Sequence, residues 1–145
     1  APIFSKDSED TKIAIDKLQE FINAFPESEY INDANNLIFE LDYRLEMKEF
    51  NIALQYNVLT DYQAAIKSFE NFLMDFPGSE LREKAMYYRF DSAYKLAVNS
   101  VVWKQKERIE NAVTYFNSFK NNYNDSEFLT EMESKMTELS EINNI

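Results

Sequence analysis

The phrase "LQEFINAFPESE" at residues 18–29 returns as "FENFLMDFPGSE" at 69–80 and as "FNSFKNNYNDSE" at 116–127. A motif used three times in 145 residues restricts the fold more than any single residue, because every copy must build the same local structure. The correspondence runs past the phrase itself. Ala14, Ala65 and Ala112 align, then Leu18, Phe69 and Phe116, then Phe21, Phe72 and Phe119, then Phe25, Phe76 and Tyr123. Beyond the bend, Ser28, Ser79 and Ser126 align, followed by Glu29, Glu80 and Glu127, and by Tyr30, Leu81 and Phe128. Within each copy the apolar positions step by three and four, which is one face of a helix.

The bend has a mechanism. Pro26 and Pro77 disfavour helical geometry in the residue before them, so a helix must stop at Phe25 and at Phe76. Ser28 and Ser79 are suited to cap the helix that follows by accepting its free N–H groups. Glu29 and Glu80 then fall in its first turn, where negative charge suits the dipole. The third copy replaces the proline with Asn124 and Asp125, which are weaker turn formers. Each phrase therefore reads as a helix, a tight corner and the start of an antiparallel helix.

The copies are spaced by 51 residues (Phe25 to Phe76) and 47 (Phe76 to Tyr123), longer than the roughly 34 residues of a tetratricopeptide unit. The middle copy nevertheless carries that unit's pattern in Ala53, Tyr56, Ala65, Phe69 and Pro77. The first surplus must lie after Tyr30, and no glycine or proline interrupts 27–76, so one long helix is expected over about 30–58, with a kink near 47–50 left open. The second surplus lies near 99–108, expected as a helix extension plus a long loop. The predicted helices are about 11–25, 30–58, 62–75, 80–98, 108–122 and 127–142, with Thr60 and Asp61 at the second corner. One glycine and three prolines exclude a hairpin-rich sheet protein. The expected fold is all-α: a tetratricopeptide-like, right-handed solenoid of antiparallel helix pairs, about six helices in a single helical-repeat domain over 1–145.

Several function classes fall away on chemistry. A net charge of −11 would repel nucleic-acid phosphates. There is no histidine for acid–base work and no cysteine for a thiolate site or disulfide, and no run of about 18 apolar residues could span a membrane. Acidic clusters such as Asp7, Glu9 and Asp10, or Glu131, Glu133, Glu138 and Glu141, lack EF-hand spacing and read as solvated faces and helix starts. Neither a catalytic residue nor a cofactor or metal ligand emerges. The aromatics Phe69, Phe72, Phe76, Tyr87, Tyr88, Phe90 and Tyr94 read as core at helical spacing rather than as a ligand slot. Phe50 and Leu54 are apolar where a tetratricopeptide carboxylate clamp would need polar side chains.

The segment "VVWKQKER" at 101–108 stands apart, with the one tryptophan and a cluster of cations in an acidic protein. Val101, Val102, Trp103, Lys104, Lys106 and Arg108 are the candidate partner-binding residues, since Trp and Arg are favoured interface anchors. In the plainer alternative, favoured on the residues alone, Trp103 packs over the adjoining helix pair and the cations only solvate a loop.

The stretches "KLQEFINAFPESEYINDANNLI", "DYQAAIKSFENFLMDFPGSELREKAMYY" and "AVTYFNSFKNNYNDSEFL", with the lengthened unit over 30–59, resemble the BamD family of outer-membrane assembly lipoproteins in its Bacteroidetes form. The resemblance implies a non-enzymatic scaffold at the periplasmic face of the outer membrane, lipid-anchored in the full-length protein. It implies binding to the periplasmic domains of a BamA-like barrel protein, with other assembly lipoproteins as further partners. It also implies that the chain, which starts without an initiator methionine, is the C-terminal part of a longer one. Two other readings stay open: a surface lipoprotein that captures a small ligand or glycan, and a peptide-binding adaptor.

Overall fold

The structure is a computed structural model that describes residues 3–143, with side-chain surroundings for residues 8–142. Among these residues there are six helices and no strand. They are α1 (Ile3–Ala24), α2 (Ile31–Val58), α3 (Tyr62–Asp75), α4 (Arg82–Val98), α5 (Val102–Asn122) and α6 (Leu129–Asn143). The all-α, tetratricopeptide-like pairing of adjacent helices is as expected. Two boundaries differ substantially. The first helix begins at Ile3 rather than near 11. The fifth begins at Val102 rather than 108, so no long loop occupies 99–108; only Asn99, Ser100 and Val101 separate α4 from α5. "WKQKER" contains no breaker and is built of good helix formers, so the surplus residues wind into extra helical turns.

The three corners share one hydrogen-bond set. Phe25, Phe76 and Tyr123 donate their N–H to the carbonyls of Phe21, Phe72 and Phe119 at 2.9, 2.9 and 2.8 Å. Ser28, Ser79 and Ser126 then donate to the carbonyls of Phe25, Phe76 and Tyr123 at 3.0, 3.1 and 3.2 Å. The serine hydroxyls accept from the N–H two residues on, at Tyr30, Leu81 and Phe128. The serines thus cap a turn that precedes the helix instead of the helix itself, and α4 starts at an N-cap, Leu81, whose side chain makes no capping bond. The third corner needs no proline, because its backbone bonds are those of the other two.

The aromatic pair flanking each corner is equally regular. Ring centroids lie 5.6 Å apart for Phe21 and Phe25, 5.4 Å for Phe72 and Phe76 and 5.4 Å for Phe119 and Tyr123, all tilted by between 42° and 47°. Four-residue spacing on one helical face imposes this geometry.

The chain divides into two compact units, Ala1–Lys48 and Glu49–Ile145, with the division inside the continuous α2. In the first unit two of the repeat aromatics stay open to solvent, Phe25 at 60% exposed and Tyr30 at 59%, while Phe21 is half-buried. In the second unit α4 packs on α3 and α5, and α6 lies against α4 and α5. One core cluster gathers Phe50, Ala53, Ala65, Phe69, Phe72 and Ala85, with Phe50 edge-on to Phe69 and Phe72 at 5.9 Å each. The other joins Phe90, Ala93 and Ala97 of α4 to Ile109, Ala112, Phe116 and Phe119 of α5 and to Met132 and Leu139 of α6. Alanines at the crossings let helices approach closely while the aromatics fill the space beside them. Of the aromatic series expected to be core, Phe69, Phe72, Tyr87 and Phe90 are buried and Phe76, Tyr88 and Tyr94 half-buried.

The α2–α3 corner stores strain. Thr60 has φ of 64°, a left-handed conformation that a β-branched residue seldom adopts. It is held there because the Asp61 N–H reaches back to the Tyr56 carbonyl at 2.9 Å, closing α2, while the Asp61 carboxylate accepts from the Ala64 N–H at 3.2 Å and opens α3. Thr60→Gly is therefore expected to stabilise the protein by about 0.5–1 kcal/mol in chemical denaturation. A loss of stability would show that the Thr60 side chain has contacts that outweigh its backbone strain.

Candidate functional site

The α4–α5 corner is short and closely tied. The last carbonyls of a helix lack intrahelical donors, and here side chains supply them. Asn99 Nδ2 donates to the Lys95 carbonyl at 2.8 Å, Ser100 Oγ to that of Leu96 at 2.6 Å, and Gln105 Nε2 to that of Ala97 at 3.3 Å. Arg108 Nη1 in turn donates to Ser100 Oγ at 2.7 Å. The first turns of α5 are thereby latched to the end of α4.

On this corner Val102 is 83% exposed and Trp103 82%. The plainer alternative for Trp103, packing over the adjoining helix pair, is thus overturned: at the first turn of α5 its indole points away from the core. Val101 is exposed as well, as are Lys104 and Lys106, which take part in no ion pair among the described residues. Arg108 differs from its five companions, being half-buried and turned back onto Ser100 as a latch. The corner therefore combines a contiguous apolar ridge, free cations and a fixed backbone.

A second polar constellation, which the sequence alone does not single out, ties α2, α4 and α6 together inside the second unit. Its centre is Asp91, only 4% exposed and seated between Phe90 and Ala93 in the apolar face of α4. Its carboxylate accepts from Lys135 Nζ at 2.8 Å, Lys95 Nζ at 2.9 Å and Asn57 Nδ2 at 3.1 Å. Asn57 Nδ2 also reaches Ser92 Oγ at 2.8 Å, and Ser92 donates to the Tyr88 carbonyl. Lys135 continues to Glu131 at 2.7 Å, and Glu131 accepts from the Tyr87 hydroxyl at 2.8 Å. Tyr94 donates to Glu138 beside it.

Burial would raise the Asp91 carboxyl, but the hydrogen bonds from Lys135 and Lys95 outweigh it and hold the group below its ordinary value. Lys135 is the mirror case, with burial opposed by Asp91 and Glu131, which hold it above its ordinary value. Glu131 is lowered by Lys135 and Tyr87. Burial and the Glu138 contact push Tyr94 up to about 12. Each carboxylate faces a lysine or a tyrosine hydroxyl rather than another carboxylate, so the cluster locks helices together and offers no acid–base pair. No group of three or more Asp or Glu among the described residues could hold a metal.

The signal for this hub in the sequence is faint. Asp91 interrupts an apolar stretch and has Lys95 four residues on, but Lys135 and Asn57 come from elements far away along the polypeptide.

Comparison with known proteins identifies the repeat. The model of the YfiO family, described as an outer membrane lipoprotein, matches residues 3–69 and again 56–143. The chain belongs to this family. This is a family of BamD-type outer-membrane lipoproteins, in agreement with the resemblance carried by the repeat phrases. The two matches overlap over 56–69, which covers the α2–α3 corner and the first half of α3. No curated protein matches the sequence. Among the described residues no helix is long and apolar enough to cross a membrane.

Proposed function

We propose that this YfiO-family protein is a non-catalytic scaffold of the machinery that inserts β-barrel proteins, and that the α4–α5 corner is its contact to a partner subunit. The partner is a BamA-like barrel protein engaged through its periplasmic domains. The reading places the protein at the periplasmic face of the outer membrane, as the C-terminal part of a lipid-anchored protein of the Bacteroidetes type. The lengthened spacing between repeat copies supports that assignment, and a lipobox cysteine upstream in the full reading frame is its direct check.

One observation carries the choice of surface. Trp103 and Val102, each more than four-fifths exposed, stand on a backbone latched by four side-chain hydrogen bonds. A solvated tryptophan gains nothing for the isolated fold, whereas burying it against a partner removes a large apolar surface from water. The latch lowers the ordering cost of doing so. Burial of most of the aromatic series counts against the rival reading of a small-ligand or glycan slot.

Trp103→Ala is expected to weaken binding to the periplasmic domains of the partner by at least ~30-fold in calorimetry, the size of a hot-spot loss. The thermal stability of the fold should change little, because the side chain is exposed. Lys104→Glu with Lys106→Glu should slow association and reduce its salt dependence. Arg108→Glu should weaken binding by loosening the latch. Unchanged affinity on combining Trp103→Ala with Arg108→Glu would remove this corner from the interface.

A further inference from the structure

The apolar surface that the second unit leaves in solvent is gathered at one end. Successive helices run in opposite directions, so the α2–α3 and α4–α5 corners both lie opposite the α3–α4 corner. At the α2–α3 corner Val58 is 70% exposed and Leu59 65%, while Val98, Val101, Val102 and Trp103 are exposed at the α4–α5 corner. Apart from Tyr56 beside this edge, only Ile52 and Met74 are large apolar side chains as open among the described residues of the unit. Scattered apolar residues are ordinary, but their concentration on one edge marks a contact surface. The two corners are also fixed to each other. Asn57, next to Val58, donates to Asp91 and Ser92 of α4, and Lys95 Nζ donates back to Asn57 Oδ1 at 3.5 Å. The same ammonium lies 6.0 Å from the centroid of the Tyr62 ring at the start of α3. Packed helix axes lie about 8–10 Å apart, so both corners fit beneath one protein domain. The N–H groups of Leu59, Thr60 and Asp61 donate to the carbonyls of Gln55, Asn57 and Tyr56, which presents Val58 and Leu59 on a closed turn.

The charges around this edge decide what covers it. Lys104 and Lys106 are exposed beside the apolar residues, but so are Asp61 and Glu107. An apolar strip within a polar border of both signs is the make-up of a protein interface, whereas an anionic bilayer selects clusters of basic residues. We propose that the two corners form one docking edge, in which the partner domain that covers Trp103 also buries Val58 and Leu59. The inference rests on the α4–α5 corner being the partner contact, and it enlarges that contact to a second anchor point. It also specifies the partner's surface, which is apolar across both corners and carries carboxylates opposite Lys104 and Lys106.

The test is calorimetry of the whole protein with the periplasmic domains of the BamA-like partner. Val58→Ser combined with Leu59→Ser is expected to weaken binding at least ~10-fold, a loss in the hot-spot range. The melting temperature should hardly move, because both side chains are exposed. Met74→Ser removes an equally exposed side chain at the far end of α3 and should leave affinity unchanged. A second readout does not depend on the stability of the serine variant. The chain contains no cysteine, so Gln55→Cys, four residues before Leu59 on the same face of α2, can carry a polarity-sensitive fluorophore as a single label. Its emission should move to shorter wavelength when the partner binds, and stay in place on vesicles of phosphatidylethanolamine and phosphatidylglycerol. Weakened binding in Trp103→Ala with none in the serine variant overturns the two-corner edge and leaves the single-corner reading intact. Unchanged affinity in both overturns that reading and the edge together. A label that responds to the vesicles and ignores the partner also overturns the proposal, since the α2–α3 corner would then be a lipid contact.

Discussion

Asp91→Ala is expected to lower the unfolding free energy by roughly 3–5 kcal/mol at neutral pH, as when one partner of a buried ion pair is removed. Lys135 would be left half-buried without its principal anion, and Asn57 would lose one of its two acceptors, keeping only Ser92 Oγ. Chemical denaturation followed by circular dichroism measures the loss. The contribution is one of pairing rather than of charge itself, so Asp91→Leu combined with Lys135→Met should recover most of the stability. If the double variant is as weak as Asp91→Ala, the hub matters through its shape and not through its charges.

The same hub sets the response to pH. The folded-state value of Asp91 lies below its ordinary 3.8, so its stabilisation is fully present above that pH and is lost as pH falls through the lower folded value. Lys135 lies above its ordinary 10.5, so its contribution is fully present below that pH and is lost as pH rises through the higher folded value. Wild type should therefore hold a plateau between these limits and fall away on both sides. Asp91→Asn should flatten the acid limb and shrink the alkaline one, because Asp91 is the first of the two carboxylates that hold Lys135 above its ordinary value.

Phe72→Ala and Phe119→Ala are each expected to cost about 3–5 kcal/mol, the usual range for emptying a fully buried phenylalanine site. Both rings are completely enclosed. Phe21 holds the equivalent place in the first copy, with the same tilted neighbour four residues on, but it is only half-buried. Phe21→Ala should cost roughly half as much, since both the transfer and cavity terms shrink with burial. Equal losses in all three variants would mean that the first copy packs as tightly as the others in solution.

This contrast between copies marks where the sequence stops being informative. The alignment of Phe21, Phe72 and Phe119 specifies a helix, a corner and an aromatic pair in each copy, and all three are built alike. Their burial is not legible, because it depends on whether a neighbouring helix covers the face. The third corner makes a related point. Asn124 and Asp125 are weaker turn formers than proline, yet the backbone there closes with the same bonds as the proline corners.

At the candidate sites the division is sharper. "VVWKQKER" is conspicuous by composition, and its exposure is consistent with the docking role proposed for it. The loop expected there is absent because side-chain bonds to the open carbonyls of α4 let α5 begin almost at once. Arg108, grouped by composition with the surface cations, is a latch for the same reason. Asp91 and its partners give little sign of themselves because the cluster draws on three helices, and periodicity within one helix carries no information about the other two.

The repeated phrase by itself determined the helical class, the corners and the faces that must be apolar, since these follow from local sterics and from spacing along one helix. Tertiary structure alone decided which copies bury their aromatics, where the buried charges meet, and that the tryptophan remains in solvent. Those outcomes depend on contacts between residues far apart along the sequence, such as Asn57 with Asp91 and Asp91 with Lys135, whose energies arise only when the helices come together.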